Sequence, residues 1–153
     1  MKLTYFIDHN KPKVDDLYYY FINNDKDFSP KLSSRVILSD YALKLVNNAN
    51  FILIRDNSSN AILGVVAFYI NENDKIAFLS SFHIVKEYRR RGIATFLLEY
   101  LINFLKKEEF KKLSLEVDKT NTKAQDLYLK LGFNVAEIIT QKYSFLMTKT
   151  LYK

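Results

Sequence analysis

Val85-Lys86-Glu87-Tyr88-Arg89-Arg90-Arg91-Gly92-Ile93-Ala94 decides how the rest of this chain is read, because two periodicities meet in it. Residues 75–85 before it form a strand-like run. Residues 92–107 after it carry Ile93, Phe96, Leu97, Tyr100, Leu101 and Leu105 at helical spacing, which predicts a long amphipathic helix. The arginines therefore stand at a helix N-terminus. Gly92, with no side chain, lets a phosphate approach the backbone closely there, and the small Ala94 keeps the approach clear. Exposed N–H groups of the first turn donate to phosphate oxygens, the helix dipole adds favourable potential, and arginines can contact the outer phosphates. A solvated basic turn capping a helix is the alternative for the same residues.

Working outward, three strand-like runs at 51–55, 62–70 and 75–85 are separated by the turn-formers Asp56-Asn57-Ser58-Ser59-Asn60 and Asn71-Glu72-Asn73-Asp74, the pattern of an antiparallel meander. Upstream, Val14, Leu17, Tyr18, Phe21 and Ile22 predict a first helix between Pro12 and Pro30. Tyr41, Ala42, Leu45 and Val46 predict a second, with Ser39 as its N-cap. Downstream come a strand at 112–117, a helix at about 121–131 stopped by Gly132, and strands around 133–139 and 143–150. The expected order is ααβββαβαββ, an α/β (α+β) arrangement.

Composition narrows the function classes. A chain of 153 residues suits one domain with a real core, and 3 Gly and 2 Pro leave no evident linker or repeat. With no cysteine, disulfides and thiolate zinc sites are excluded. His9 and His83 are too few for a metal cluster, so no metal is expected. No apolar stretch reaches the roughly 18 residues of a membrane span and the N-terminus lacks a signal pattern, so a cytoplasmic protein is expected. The net charge of +6 suits an anionic partner, whether nucleic acid, membrane lipid or a phosphorylated cofactor.

The basic segment resembles the acetyl-CoA-binding motif of the GNAT N-acetyltransferase superfamily: Arg or Gln, two residues, Gly, one residue, Gly or Ala. A second motif follows at the family's usual distance in Asn121-Thr122-Lys123-Ala124-Gln125-Asp126-Leu127-Tyr128-Leu129-Lys130-Leu131-Gly132-Phe133. The resemblance covers about residues 62–151 well, and the first sixty only by element order. It implies a single GNAT domain over 1–153, with a mixed, mostly antiparallel sheet flanked by helices. That sheet is splayed between its fourth and fifth strands, here 75–85 and 112–117, where the pantetheine of acetyl-CoA lies. The cofactor-binding set it implies is Ile84, Val85, Arg89, Arg90, Arg91, Gly92, Ile93, Ala94, Thr95, Asn121 and Tyr128. Three arginines stand where many members have one.

Moving an acetyl group from a thioester to an amine needs a deprotonated amine, a polarised carbonyl and a proton for the leaving thiolate. By the resemblance Tyr128 is the general acid, and the bland reading of the same residue is an amphipathic core tyrosine. Glu116, twelve residues earlier, is a candidate base at a spacing similar to that of the acetyltransferases that modify N-terminal amines of ribosomal proteins. It reads equally as a strand carboxylate facing solvent or pairing with a lysine such as Lys112. The strand at 75–85 offers Ser80, Ser81 and His83 in place of a carboxylate; histidine side chains ordinarily titrate near neutrality, but His83 lies so near the motif that its backbone is expected to face pantetheine. Backbone groups of Ile84 and Val85 are expected to bond the pantetheine amides, and Asn121 to contact cofactor or cap its helix.

The expected function is acetyl transfer from acetyl-CoA to a primary amine, either a protein N-terminus or a small molecule such as an amino sugar, polyamine or antibiotic, by a monomer or homodimer. The rival class is a nucleic-acid-binding module using residues 86–91, Lys106-Lys107 and Lys111-Lys112. Against it, Glu87, Glu108 and Glu109 interrupt the basic stretches. An inert acetyl-CoA sensor with the same fold is the third.

Overall fold

The computed structural model describes residues 4–90 and 92–152, and Arg91, one of the expected cofactor contacts, lies outside them. The elements are β1 (Tyr5–Asp8), α1 (Val14–Asn24), α2 (Leu38–Asn48), β2 (Asn50–Asp56), β3 (Ile62–Asn71), β4 (Ile76–Ile84), α3 (Ile93–Lys107), β5 (Lys112–Asp118), α4 (Thr122–Lys130), β6 (Asn134–Ile139) and β7 (Ser144–Thr150), with short 3-10 turns between some of them. The seven strands are ordered β1-β2-β3-β4-β5-β7-β6. The β4–β5 pair is parallel, a geometry that needs a crossover, and α3 supplies it. The pairs β1–β2, β2–β3, β5–β7 and β6–β7 are antiparallel. The mixed, mostly antiparallel sheet is therefore as expected.

One strand was not expected. β1 is four residues long, and its register, Tyr5 opposite Asp56 to Asp8 opposite Leu53, is reinforced by Arg55 Nε donating to Asp8 Oδ2 at 2.8 Å. Nothing local announces so short an edge strand; its partner strand supplies the order. The order is thus βααβββαβαββ, and β4 and β5 become the fourth and fifth strands that the resemblance requires.

The chain divides into two compact units: Met1–Phe68 with Ser81–Ala94, and Tyr69–Ser80 with Thr95–Lys153. In the first, β2 and β3 bury continuous runs, 51–54 and 64–68, as strands covered on both faces do. α1 buries Leu17, Tyr20 and Phe21, and α2 buries Ala42 and Leu45. Each fully buried Leu or Phe contributes about 1.5–3 kcal/mol. The buried face of α1 differs from the expected one in taking Tyr20 and leaving Ile22 exposed, because the Tyr20 hydroxyl has a partner inside. Ser39 is not the N-cap of α2: the helix begins at Leu38, and Ile37 precedes it without a side-chain cap bond.

In the second unit, α3 buries Leu97, Leu98, Leu101, Ile102 and Leu105, while Phe96, assigned to the stripe from spacing, is exposed. β5 alternates, with Leu113, Leu115 and Val117 buried and Ser114 and Glu116 on its other face. The β4–β5 ladder covers Ile76–Leu79 against Lys112–Leu115, although β4 continues to Ile84 and β5 to Asp118.

Candidate functional site

In the first unit, β4 ends at Ile84 and a 3-10 turn, Lys86–Tyr88, leads towards α3. Arg90 has φ 61° and Gly92 φ 75°, both left-handed. A non-glycine residue held there costs on the order of 1 kcal/mol, and such strain recurs where backbone N–H groups are aimed at a ligand. A Cβ built on Gly92 would meet nothing within 4 Å, so the space over this glycine is open and the constraint is its φ. α3 begins at the next residue, so Ile93, Ala94 and Thr95 occupy the first turn, whose N–H groups have no partner inside the helix. The residues present therefore fit a phosphate.

Of the two residues expected to serve pantetheine, Val85 has both its N–H and its carbonyl engaged. Val85 N–H donates to Leu63 O at 2.9 Å and Val85 O accepts from Tyr88 N–H at 3.0 Å. Successive N–H groups of extended backbone point to opposite edges, so Ile84 N–H projects away from β3.

Arg89 and His83 lie in a connected set that the sequence did not reveal. The Asp27 carboxylate can only accept, so the 2.7 Å contact with His83 Nε2 places the imidazole hydrogen on Nε2. Nδ1 then carries the lone pair, to which Tyr20 O–H donates at 2.6 Å. Asp27 Oδ2 also forms an ion pair with the Arg89 guanidinium, whose Nε donates to Ile84 O at 3.1 Å. The 3.2 Å between Arg89 Nη2 and His83 Nε2 is two donors converging on one carboxylate oxygen. Phe28 stacks on the imidazole, ring centroids 4.5 Å apart. Burial lowers the His83 pKa to about 4, keeping the ring neutral at physiological pH. Because its lone pair is taken by Tyr20, His83 has no free site for an amine proton, which removes it as a candidate base. On the same face of β4, the Ser81 hydroxyl is buried with no partner among the described residues.

In the second unit, Tyr128 is placed by local chemistry. Gly132 has φ 94° and its N–H donates to Leu129 O at 3.1 Å, while Phe133 N–H reaches back to Tyr128 O at 2.9 Å. This is a Schellman closure of α4, and its usual apolar contact is made by the Tyr128 and Phe133 rings, centroids 5.7 Å apart. Burial raises the Tyr128 pKa well above its ordinary value, so the phenol stays protonated. Asn121 is the N-cap of α4, Oδ1 accepting from Ala124 N–H at 3.2 Å. Gln125 ties the preceding turn by donating to Asp118 O and Lys119 O.

Glu116 is not paired with Lys112. It accepts from the buried Ser144 hydroxyl at 2.8 Å and has Lys142 Nζ at 3.8 Å. β7 lies antiparallel to β5 with Leu146 opposite Glu116, which brings Ser144 to the diagonal position on the same face. Lys112, four residues along the same strand, is roughly 13 Å away by strand rise. Among the described residues no cluster of three or more His, Cys, Asp or Glu could hold a metal, and no helix is long and apolar enough to cross a membrane.

Comparison with known proteins gives a consistent family. Over 88 residues the chain is 30% identical to "Probable N-acetyltransferase san" of Drosophila melanogaster, covering 56% of this chain and 48% of that protein. Over 90 residues it is 35% identical to the ribosomal protein bS18-alanine N-acetyltransferase of Escherichia coli (strain K12), covering 59% and 58%. The chain thus spans about half the length of these curated relatives. The crystal structure of the PaiA N-acetyltransferase of Thermoplasma acidophilum in complex with coenzyme A shares the fold, with a TM-score of 0.70 at 19% identity, covering 95% of this chain and 99% of that one. The family model described as Acetyltransferase (GNAT) family matches residues 14–133, a span that takes in the left-handed turn, the start of α3 and the Tyr128–Phe133 closure, and the chain belongs to that family.

Proposed function

We propose that this chain moves the acetyl group of acetyl-CoA to a primary amine by direct attack in a ternary complex. The observation that carries the reading is the left-handed turn at Arg90 and Gly92, open above Gly92 and running straight into the first turn of α3. In this reading the N–H groups of Gly92, Ile93, Ala94 and Thr95 hold the cofactor's pyrophosphate, and Arg90 faces its outer oxygens. The Ile84 backbone serves the pantetheine. Asn121 acts by capping α4 and fixing the turn before it.

The chemistry follows from what each residue can donate or accept. The amine nitrogen attacks the thioester carbon; the C–N bond forms and the C–S bond breaks. Sulfur leaves with the electron pair and takes the Tyr128 hydroxyl proton, which burial keeps in place until it is needed. Glu116, held by Ser144, or a water takes the proton that the amine loses. A protein N-terminus is the acceptor we favour, from the Glu116–Tyr128 spacing and from the relative named for ribosomal protein alanine acetylation. A small-molecule amine is the alternative. Residues 1–153 act as a single GNAT domain, since the family match runs through parts of both units.

Calorimetric titration with acetyl-CoA, set against free CoA and an unrelated nucleotide, tests the cofactor, and a panel of peptides and small amines followed by CoA release tests transfer. Specific acetyl-CoA binding with turnover on an amine is expected. Binding without turnover on any amine would identify a sensor, and absence of binding by folded protein would return nucleic acid to consideration as the anionic partner.

A further inference from the structure

The four polar side chains joined at the end of β4 come from three places: Tyr20 from α1, Asp27 from the turn after it, and His83 and Arg89 from either side of Ile84. Both ring nitrogens of His83 and the Tyr20 hydroxyl are partnered, as are Asp27 Oδ2 and the Nε and Nη2 of Arg89. Arg89 gives its Nε to a main-chain carbonyl and its Nη2 to a carboxylate that neutralises its charge. Asp27 is itself fixed, because the buried His83 donates to it and Tyr20 holds His83 from the other side. A phosphate taken by Nε or Nη2 would have to pull Arg89 away from an oxygen already bonded to it. Arg90, the next residue, is exposed and carries the left-handed φ of the turn.

We propose that Arg89, the first residue of the phosphate motif, is a positioning residue and not a phosphate ligand: it ties Asp27 to the Ile84 carbonyl and thereby holds the turn that presents the Gly92 backbone. Tyr20 and His83 are the buried end of the same strut. This rests on the acetyl-CoA reading above and changes the role of one residue within it.

The two roles give opposite signs. If Arg89 bound phosphate, Asp27 would compete for it, and Asp27→Asn would tighten acetyl-CoA binding. As a strut, Asp27→Asn loosens the turn and weakens acetyl-CoA binding by on the order of tenfold, although a negative charge has been removed from the neighbourhood of an anion. Arg89→Lys keeps the charge but cannot bridge both acceptors, so it loses as much affinity as Arg89→Gln. The double variant Asp27→Asn with Arg89→Gln is no worse than either single one, because both remove the same strut. These are calorimetric titrations of the full chain with acetyl-CoA, with cooperative melting as the control for folding. Equal or tighter binding by Asp27→Asn, or rescue by Arg89→Lys, overturns the proposal. Amide hydrogen exchange without acetyl-CoA separates its failure from that of the reading it rests on. Faster exchange at both 24–28 and 84–90 in either single variant supports the strut even if no variant or wild type binds acetyl-CoA. Faster exchange confined to the substituted segment overturns it.

Discussion

The left-handed turn of the first unit and the Tyr128 segment of the second are both short motifs around one glycine, yet they are held in different ways. Tyr128 is set by bonds within its own helix end: Gly132 in the left-handed region, Phe133 N–H on Tyr128 O, and ring against ring. The turn at 85–90 is held from outside, by Arg89 on an Asp27 that is fixed by His83 and Tyr20. Local closure survives changes elsewhere in the chain. A turn braced from a distance depends on every member of the brace, and the comparison can be broken at each.

The largest effect is expected at Gly92. Gly92→Glu forces an L side chain to φ 75° and sets a carboxylate where phosphate is to bind. Like charges at about 4 Å near a surface repel by roughly 4 kcal/mol, so acetyl-CoA affinity should fall by on the order of a hundredfold or more in calorimetry. Wild-type affinity would remove the phosphate from this turn.

The buried brace predicts a pH dependence. His83 is depressed from 6.5 to about 4 in the fold, so the unfolded chain binds the proton first. The stabilisation is complete above about pH 6.5, is lost as pH falls towards 4, and levels off below it. The loss is up to about 3 kcal/mol, with the Asp27 carboxylate, which favours imidazolium, working against it. Urea unfolding from pH 7.5 to 4 measures it, and a His83→Gln variant should lack this part of the slope. An identical slope in the variant would sink the assignment.

For the locally closed segment, Tyr128→Phe keeps the ring contact with Phe133 and removes only the hydroxyl that would give the proton. Turnover should drop about a hundredfold while acetyl-CoA affinity and melting temperature hold. Unchanged turnover would leave Tyr128 as a core tyrosine. Gly132→Ala places a Cβ at φ 94°; the Lys149 amine it would meet at 2.6 Å can swing aside, so backbone strain of about 1–2 kcal/mol is the expected loss of stability. The smallest change is Asn121→Ala, about 1 kcal/mol from the lost cap, with acetyl-CoA affinity nearly constant. A large loss of affinity there would make Asn121 a cofactor contact and sharpen the contrast between the two regions.

Residue patterns determined most of the framework, because strands, helices and their stops are written within a few positions of themselves. The apolar runs of β2 and β3, the alternation of β5, the Asn121 cap and the Gly132 stop all act over fewer than about ten residues. The motif residues of the turn and of α4 were legible for the same reason. Tertiary structure alone decided the rest. β1 exists only because β2 pairs with it, and α1 buries Tyr20 in place of Ile22 only because His83, 63 residues on, takes its hydroxyl. Glu116 meets Ser144 and Lys142 through the register of β7, 28 residues from Glu116 to Ser144, and not the lysine nearest on its own strand. His83 looked like a base because its own residue type titrates near neutrality. Burial and two partners from outside its strand, Tyr20 and Asp27, made it neutral and satisfied, since desolvation and hydrogen bonding depend on what the fold brings alongside.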